Sequence, residues 1–274
     1  AASFLNTGTL TLGDSASDVL SFDSGLVVTA PNSLSLGGTV NTNHTAITLG
    51  DNNTPLVLNN HLTLSTGNAA LTLGGLVYGP HDLVLNSTGV TTLTSEVGGN
   101  GQALTSLTSN AIGSLIIQGG RITTTGAQTF NDDVLLGNAA RSTTLNTTDS
   151  NVFFGGKLNN QTPTAEALLI NAGTGNVTFT GAVGDLAKIA ALIVNSGGVT
   201  TFVSTVDAAS VTSDALGSVV IQGGRITTTG AQTFNDDVVL GNAARSTTLN
   251  TTNSNIFFGG KINNQTATAE ALTI

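Results

Sequence analysis

Two short acidic runs, Asn131-Asp132-Asp133 and Asn235-Asp236-Asp237, hold the only adjacent acids in the chain. A pair of carboxyls can act as acid and base in glycoside cleavage when they stand about 5 to 9.5 Å apart across a groove. Neighbours in a strand point to opposite faces, so either pair could share a substrate only from a turn. The same oxygens, with Asp14-Ser15-Ala16-Ser17-Asp18, are candidate calcium ligands. Calcium takes about 6 to 8 oxygens, and the Gly-Gly-x-Gly-x-Asp repeat of calcium-binding β-rolls does not occur. Solvated turn acids are therefore the preferred reading of Asp132, Asp133, Asp236 and Asp237, with calcium as the alternative. A polysaccharide lyase would need acids converging from several turns, and the sixteen acids are spread along the whole chain.

Three histidines, His44, His61 and His81, fall in the first third. Nucleophilic catalysis needs a base beside a hydroxyl, and nothing in their spacing arranges one. Separations of 17 and 20 residues are near the length of one coil of a repetitive fold, so vertical stacking is conceivable. Exposed turn histidines are the simpler reading.

The absence of Cys removes disulfides, thiolate metal sites and cysteine nucleophiles together. Charged residues are 8% of the chain, against about 25% in an average soluble domain. The net charge is −9, and the basic residues (Lys157, Lys188, Lys261, Arg121, Arg141, Arg225 and Arg245) are scattered. Phosphate binding needs them clustered, which argues against nucleic acid as a partner. No stretch reaches the roughly 18 to 20 apolar residues that span a bilayer, so membrane insertion is not expected. With 39% hydrophobic residues and a positive mean hydropathy, the chain is not a disordered one.

The elements that must position these groups are set by an internal repeat. Residues 117–170 return as 221–274 at an offset of 104, with six differences in 54 positions: Leu135/Val239, Asp149/Asn253, Val152/Ile256, Leu158/Ile262, Pro163/Ala267 and Leu169/Thr273. Three exchange one aliphatic residue for another, as a packed core tolerates. A weaker copy, Gly89–Leu93 against Gly198–Phe202, stands at 109, which places a surface-loop insertion near Gly98–Gln102. Packets such as Leu71-Thr72-Leu73 and Val177-Thr178-Phe179 alternate apolar with Thr, the period of a half-buried strand. Gly155-Gly156 and Asn159-Asn160 mark turns between them. Only Asp185–Leu192 has any helical texture, enough for one turn at most.

Short strands, frequent tight turns and near-identical copies favour a parallel β-solenoid over a sandwich or barrel. The expectation is one continuous solenoid over residues 1–274, with roughly 20 residues per coil. The 104-residue repeat would then be about five coils, advancing about 4.8 Å each, and the whole chain a rod of roughly 65 Å. Arg121 and Arg225 would lie roughly 24 Å apart on a common axis, and Phe153/Phe154 and Phe257/Phe258 would each place one ring inward and one outward.

The runs Ser24–Pro31, Gly38–Thr42, Ile122–Phe130 and Asp133–Gly137 resemble the tandem units of filamentous-haemagglutinin-like and β-strand-repeat giant bacterial surface adhesins. That resemblance covers essentially the whole chain. It implies a right-handed parallel β-helix, a secreted or cell-surface location and an adhesive or matrix role, with no catalytic residues and no cofactor. The expected function is a structural repeat segment of a fibre or adhesin stalk. Its partners would be further repeats of the same polypeptide or copies stacked end to end, with surface polysaccharide as a further candidate. A carbohydrate-binding module is the alternative, although the stacking platform usual for sugars is reduced to Tyr78, with no Trp. A polysaccharide-active enzyme ranks third. The C-terminal Leu272-Thr273-Ile274 carries no polar cap, so the native polypeptide is expected to continue or to stack on another subunit.

Overall fold

The structure, a computed structural model, describes residues 1–137, 142–162, 165–241, 246–267 and 269–274; Arg141, Arg245 and Pro163, named above, lie outside the described residues. The chain is an all-β parallel solenoid of about 11 turns, with about 23 residues in each. It divides into two compact units, Ala1–Val134 and Leu135–Ile274.

In the first unit, short strands stack in register on three faces. Leu26, Ile47, Leu71, Thr91 and Leu115 form one column. Leu10, Leu34, Leu56, Val77, Val97 and Ile122 form a second. Leu62, Leu83, Leu107 and Gln128 form the third. The alternation seen in sequence is the cause: in Leu71–Leu73 both leucines are buried and Thr72 is outward. Gly98–Gln102 is a loop whose last three residues are exposed, as expected of an insertion.

The second unit also has three faces, and it corrects the expected repeat geometry. Its first face is the column Val152, Val177, Thr200, Val219, Val238 and Ile262. Its second is Leu158, Val183, Val206, Ile226 and Leu249. The third is Thr143, Leu168, Leu192, Val211, Gln232 and Ile256. Val152 therefore sits on the first face, and its counterpart 104 residues later, Ile256, on the third. Ile262, which does share the face of Val152, is the counterpart of Leu158. The repeat is four turns plus two further faces, not five whole coils. Turns range from 19 residues, Thr200 to Val219, to 25, Val152 to Val177. Near-identical sequence thus serves two faces, because each face asks only for a side chain that can be buried at alternate positions.

One-sided alternation also sorts the phenylalanines. Phe154 is buried and Phe153 is outward. Phe154, Phe179 and Phe202 stack with centroids 4.9 and 5.1 Å apart, close to the spacing of the strands that carry them. Phe258 stacks on Phe234 at 5.6 Å, while Phe257 is 53% exposed. An amide ladder runs along the third face: Asn171 Nδ2 donates to Asn146 Oδ1 (2.8 Å) and Asn195 Nδ2 to Asn171 Oδ1 (2.7 Å). Asp185–Lys188 is bent rather than helical, and a strand begins at Ile189. There Asn159 Oδ1, from the turn before, accepts the N–H groups of Leu186 and Ala187, occupying donors that a helical turn would use.

Phe179→Ala, in the middle of the stack, should cost about 3 to 5 kcal/mol in urea unfolding. Phe257→Ala, at an exposed position, should cost about 0.5 kcal/mol or less. Equal losses would contradict the assignment of the inward ring.

Candidate functional site

The acidic pairs diverge. Asp132 is 1% exposed and Asp236 is 2% exposed, whereas Asp133 is outward and Asp237 half-buried. Each buried carboxylate clasps the turn of the preceding rung. Gly113 donates its N–H to Asp132 Oδ1 and Gly217 to Asp236 Oδ1, both at 2.8 Å. Beside them, Asn131 Nδ2 donates to Ser109 O and Asn235 Nδ2 to Ser213 O, both at 2.7 Å. The Oδ2 atoms of Asp132 and Asp236 are buried with no hydrogen-bond partner among the described residues. Asp237 Oδ1 instead accepts the N–H of Lys261. In the earlier candidate run, Asp18 Oδ2 caps its own turn, accepting from Asp14 and Ser15 N–H. Among the described residues no three His, Cys, Asp or Glu side chains come together in a way that could hold a metal ion.

Burial pushes the Asp132 carboxyl pKa above the ordinary aspartate value, against the lowering effect of the Gly113 and Ser109 hydrogen bonds, and Asp133 adds to the rise. Asp236 is raised in the same way, by burial first and then by Asp214 and Asp237. Asp185 moves in the opposite direction: burial acts upward, but hydrogen bonds from Lys157 and Asn159 outweigh it.

The histidines separate by environment. His44 holds a left-handed corner (φ 54°) and meets Asn68 Oδ1 at 3.0 Å. His61 and His81, one coil apart, pack edge to face with centroids 5.7 Å apart, so the spacing of 20 does give vertical stacking. His61 Nδ1 lies 2.8 Å from Asp82 Oδ2, and Ser106 Oγ donates to Asp82 Oδ1 at 2.6 Å. The carboxylate stands in the middle of that line, so the imidazole is not placed to take the serine proton, as a hydrolytic triad requires.

Two features were not singled out from sequence. Glu166, 2% exposed, accepts a 2.5 Å hydrogen bond from Thr143 Oγ1, and Glu270 repeats this with Thr247. The only signal was the repeated Ala-Glu-Ala, which carries no periodicity of its own. The second is a pocket of about 640 Å³ whose lining includes Leu135, Asn160, Ala165, Leu186, Ala187 and Lys188. The Lys157–Asp185 ion pair (2.7 Å) involves the same bend, which carries Leu186–Lys188. No protein family, curated protein or solved structure matches the chain. The fold places it in the class of β-solenoid proteins.

A raised aspartate pKa fixes the sign of one pH dependence. The folded state binds these protons at higher pH than the unfolded chain. The stabilisation is therefore complete below the ordinary aspartate pKa and is lost as pH rises through the raised folded value. Asp132→Asn with Asp236→Asn keeps the Oδ1 acceptors and removes two buried charges. The double variant should be more stable than the parent near neutral pH. That advantage should shrink towards about pH 4. Urea unfolding at both pH values measures it, and a pH-independent difference would contradict the assignment.

Proposed function

We propose that the chain is a structural and adhesive repeat segment of a large secreted or cell-surface bacterial protein, of the filamentous-haemagglutinin-like kind, and that it catalyses no reaction. The observation that carries this reading is the direction of its side-chain chemistry. The Asn146–Asn171–Asn195 ladder and the Phe154–Phe179–Phe202 stack run from turn to turn. The three Lys and Arg ion pairs seen among the described residues, Arg121–Glu96, Lys157–Asp185 and Arg225–Asp207, and the His61–Asp82 contact also join residues 18 to 28 positions apart, on successive turns. Such contacts tie each turn to the next and suit a load-bearing segment, whereas a reaction centre needs groups converging on one point.

The expected surface location has a direct test. Antibodies raised against the folded chain should label intact, unpermeabilised cells of its source, or the matrix around them. Labelling that appears only after permeabilisation would overturn the proposal.

A further inference from the structure

In each unit one corner takes left-handed backbone on several of its rungs, although not on those entering Thr91, Thr200, Val238 and Ile262. In Ala1–Val134, the corner leading into the column of Leu26, Ile47, Leu71 and Leu115 is taken by Gly25 (φ 89°), His44 (φ 54°), Gly67 (φ 61°) and then Ile112 (φ 82°). In Leu135–Ile274, the corner between the third and first faces holds Asp149 (φ 50°), Gly173 (φ 59°) and then Leu216 (φ 91°). Gly, Asp and His are residue types found there; a bulky aliphatic residue, above all a β-branched one, is a strained outlier. Burial offers no compensation, because Ile112 is 89% exposed and Leu216 is 94% exposed.

Both turns are held by equivalent hydrogen bonds from the rungs on either side. The Ser87 N–H donates to Asn110 Oδ1 and the Ser196 N–H to Asp214 Oδ1, each at 2.9 Å, while the Asp132 and Asp236 carboxylates clasp the far side. Val90 and Val199, exposed on the preceding rung in register with Ser114 and Ser218, widen the apolar surface. Each turn is thus an apolar knob, fixed in a strained conformation that a glycine would relieve.

We propose that the Leu216 knob inserts into the Leu135–Lys188 pocket of a second copy of this chain. Leu135, Ala165, Leu186 and Ala187 give that pocket apolar walls, and its volume of about 640 Å³ accommodates a leucine with its flanking atoms. Lys188 stands in its lining and makes no ion pair among the described residues. The knob brings the opposite charge, since Asp214 commits Oδ1 to the Ser196 N–H and stands two residues from Leu216. Knob-to-knob pairing is disfavoured, because it would set Asp214 and Asp237 against their own copies. Within one unit the knob lies at the corner between third and first faces and the pocket at the corner between second and third, so the contact is made between molecules. Knob and pocket are different surfaces, which makes the contact heterologous and able to propagate from copy to copy. This inference does not rest on the extracellular reading, and the location of the protein does not affect its test.

Sedimentation velocity of the whole chain over a concentration series tests it. Wild type should form species larger than the 27.3 kDa monomer as concentration rises. Leu216→Gly, which removes the knob, and Ala187→Glu, which blocks the pocket, should each weaken association about tenfold or more. Both should keep the wild-type circular dichroism spectrum, and Leu216→Gly should melt no lower than wild type because the strained residue is gone. An equimolar mixture of the two variants should form one-to-one pairs and nothing longer, since only one productive knob and pocket remain. A wild type that stays monomeric throughout would overturn the proposal. So would a Leu216→Gly variant that associates like wild type, or a mixture that forms no pairs.

Discussion

Parallel pairing between successive turns is the constraint on which the rest of the molecule depends. Each strand satisfies its backbone N–H and C=O groups with the turns before and after it, at a spacing of about 4.8 Å. Any side chain that points inward must therefore pack on its counterpart one turn away. Phe179 lies between Phe154 and Phe202 for this reason, and on the outward side of a strand Asn171 likewise meets its counterparts, bonding to Asn146 on one side and Asn195 on the other. The same spacing accounts for the low charge of the sequence. Like charges stacked at that distance would repel, and the ion pairs that do occur join opposite signs on successive turns, as Glu96 with Arg121 and Asp207 with Arg225.

Strand alternation was legible because it is local. Leu71-Thr72-Leu73 and Val177-Thr178-Phe179 show the inward and outward sides without reference to the rest of the chain. The turn length was not legible in the same way, because it depends on connections that carry no periodicity. A difference of about three residues per turn was enough to move the counterpart of Val152 from the first face to the third. The sequence of the repeat is nearly constant, yet its presentation is not. Asn146 belongs to the amide ladder, while its counterpart Asn250 pairs with Thr227 and its backbone carbonyl accepts a hydrogen bond from Gln232 Nε2.

The candidate site was legible to the same depth. Alternation implied divergence of Asp132 and Asp133 only if they lay in a strand; the preferred reading, solvated turn acids, is corrected by the structure for Asp132 and Asp236, whose carboxylates are buried. That Asp132 would be sealed in the interior, clasping the Gly113 N–H, depends on a turn 19 residues earlier and could not be read locally. Glu166 escaped notice because its partner, Thr143, lies one turn away rather than nearby in sequence. The strained Ile112 and Leu216 corners were hidden for a related reason: the sequence shows an ordinary aliphatic residue before a glycine, and only the backbone shows that it is left-handed there.

The register of the ladder is the central claim, and the absence of native cysteine makes it directly testable by paired cysteine substitution. Thr178 and Thr201 are outward neighbours on adjoining turns of one face, whereas Thr212 belongs to another face of the same unit. Directly paired strands bring the α-carbons within disulfide reach, about 4.4 to 6.8 Å. Under mild oxidation Thr178→Cys/Thr201→Cys should close an intramolecular disulfide in the folded protein, and Thr178→Cys/Thr212→Cys should not. Failure of the first pair, or efficient closure of the second, would contradict the parallel register on which the account stands.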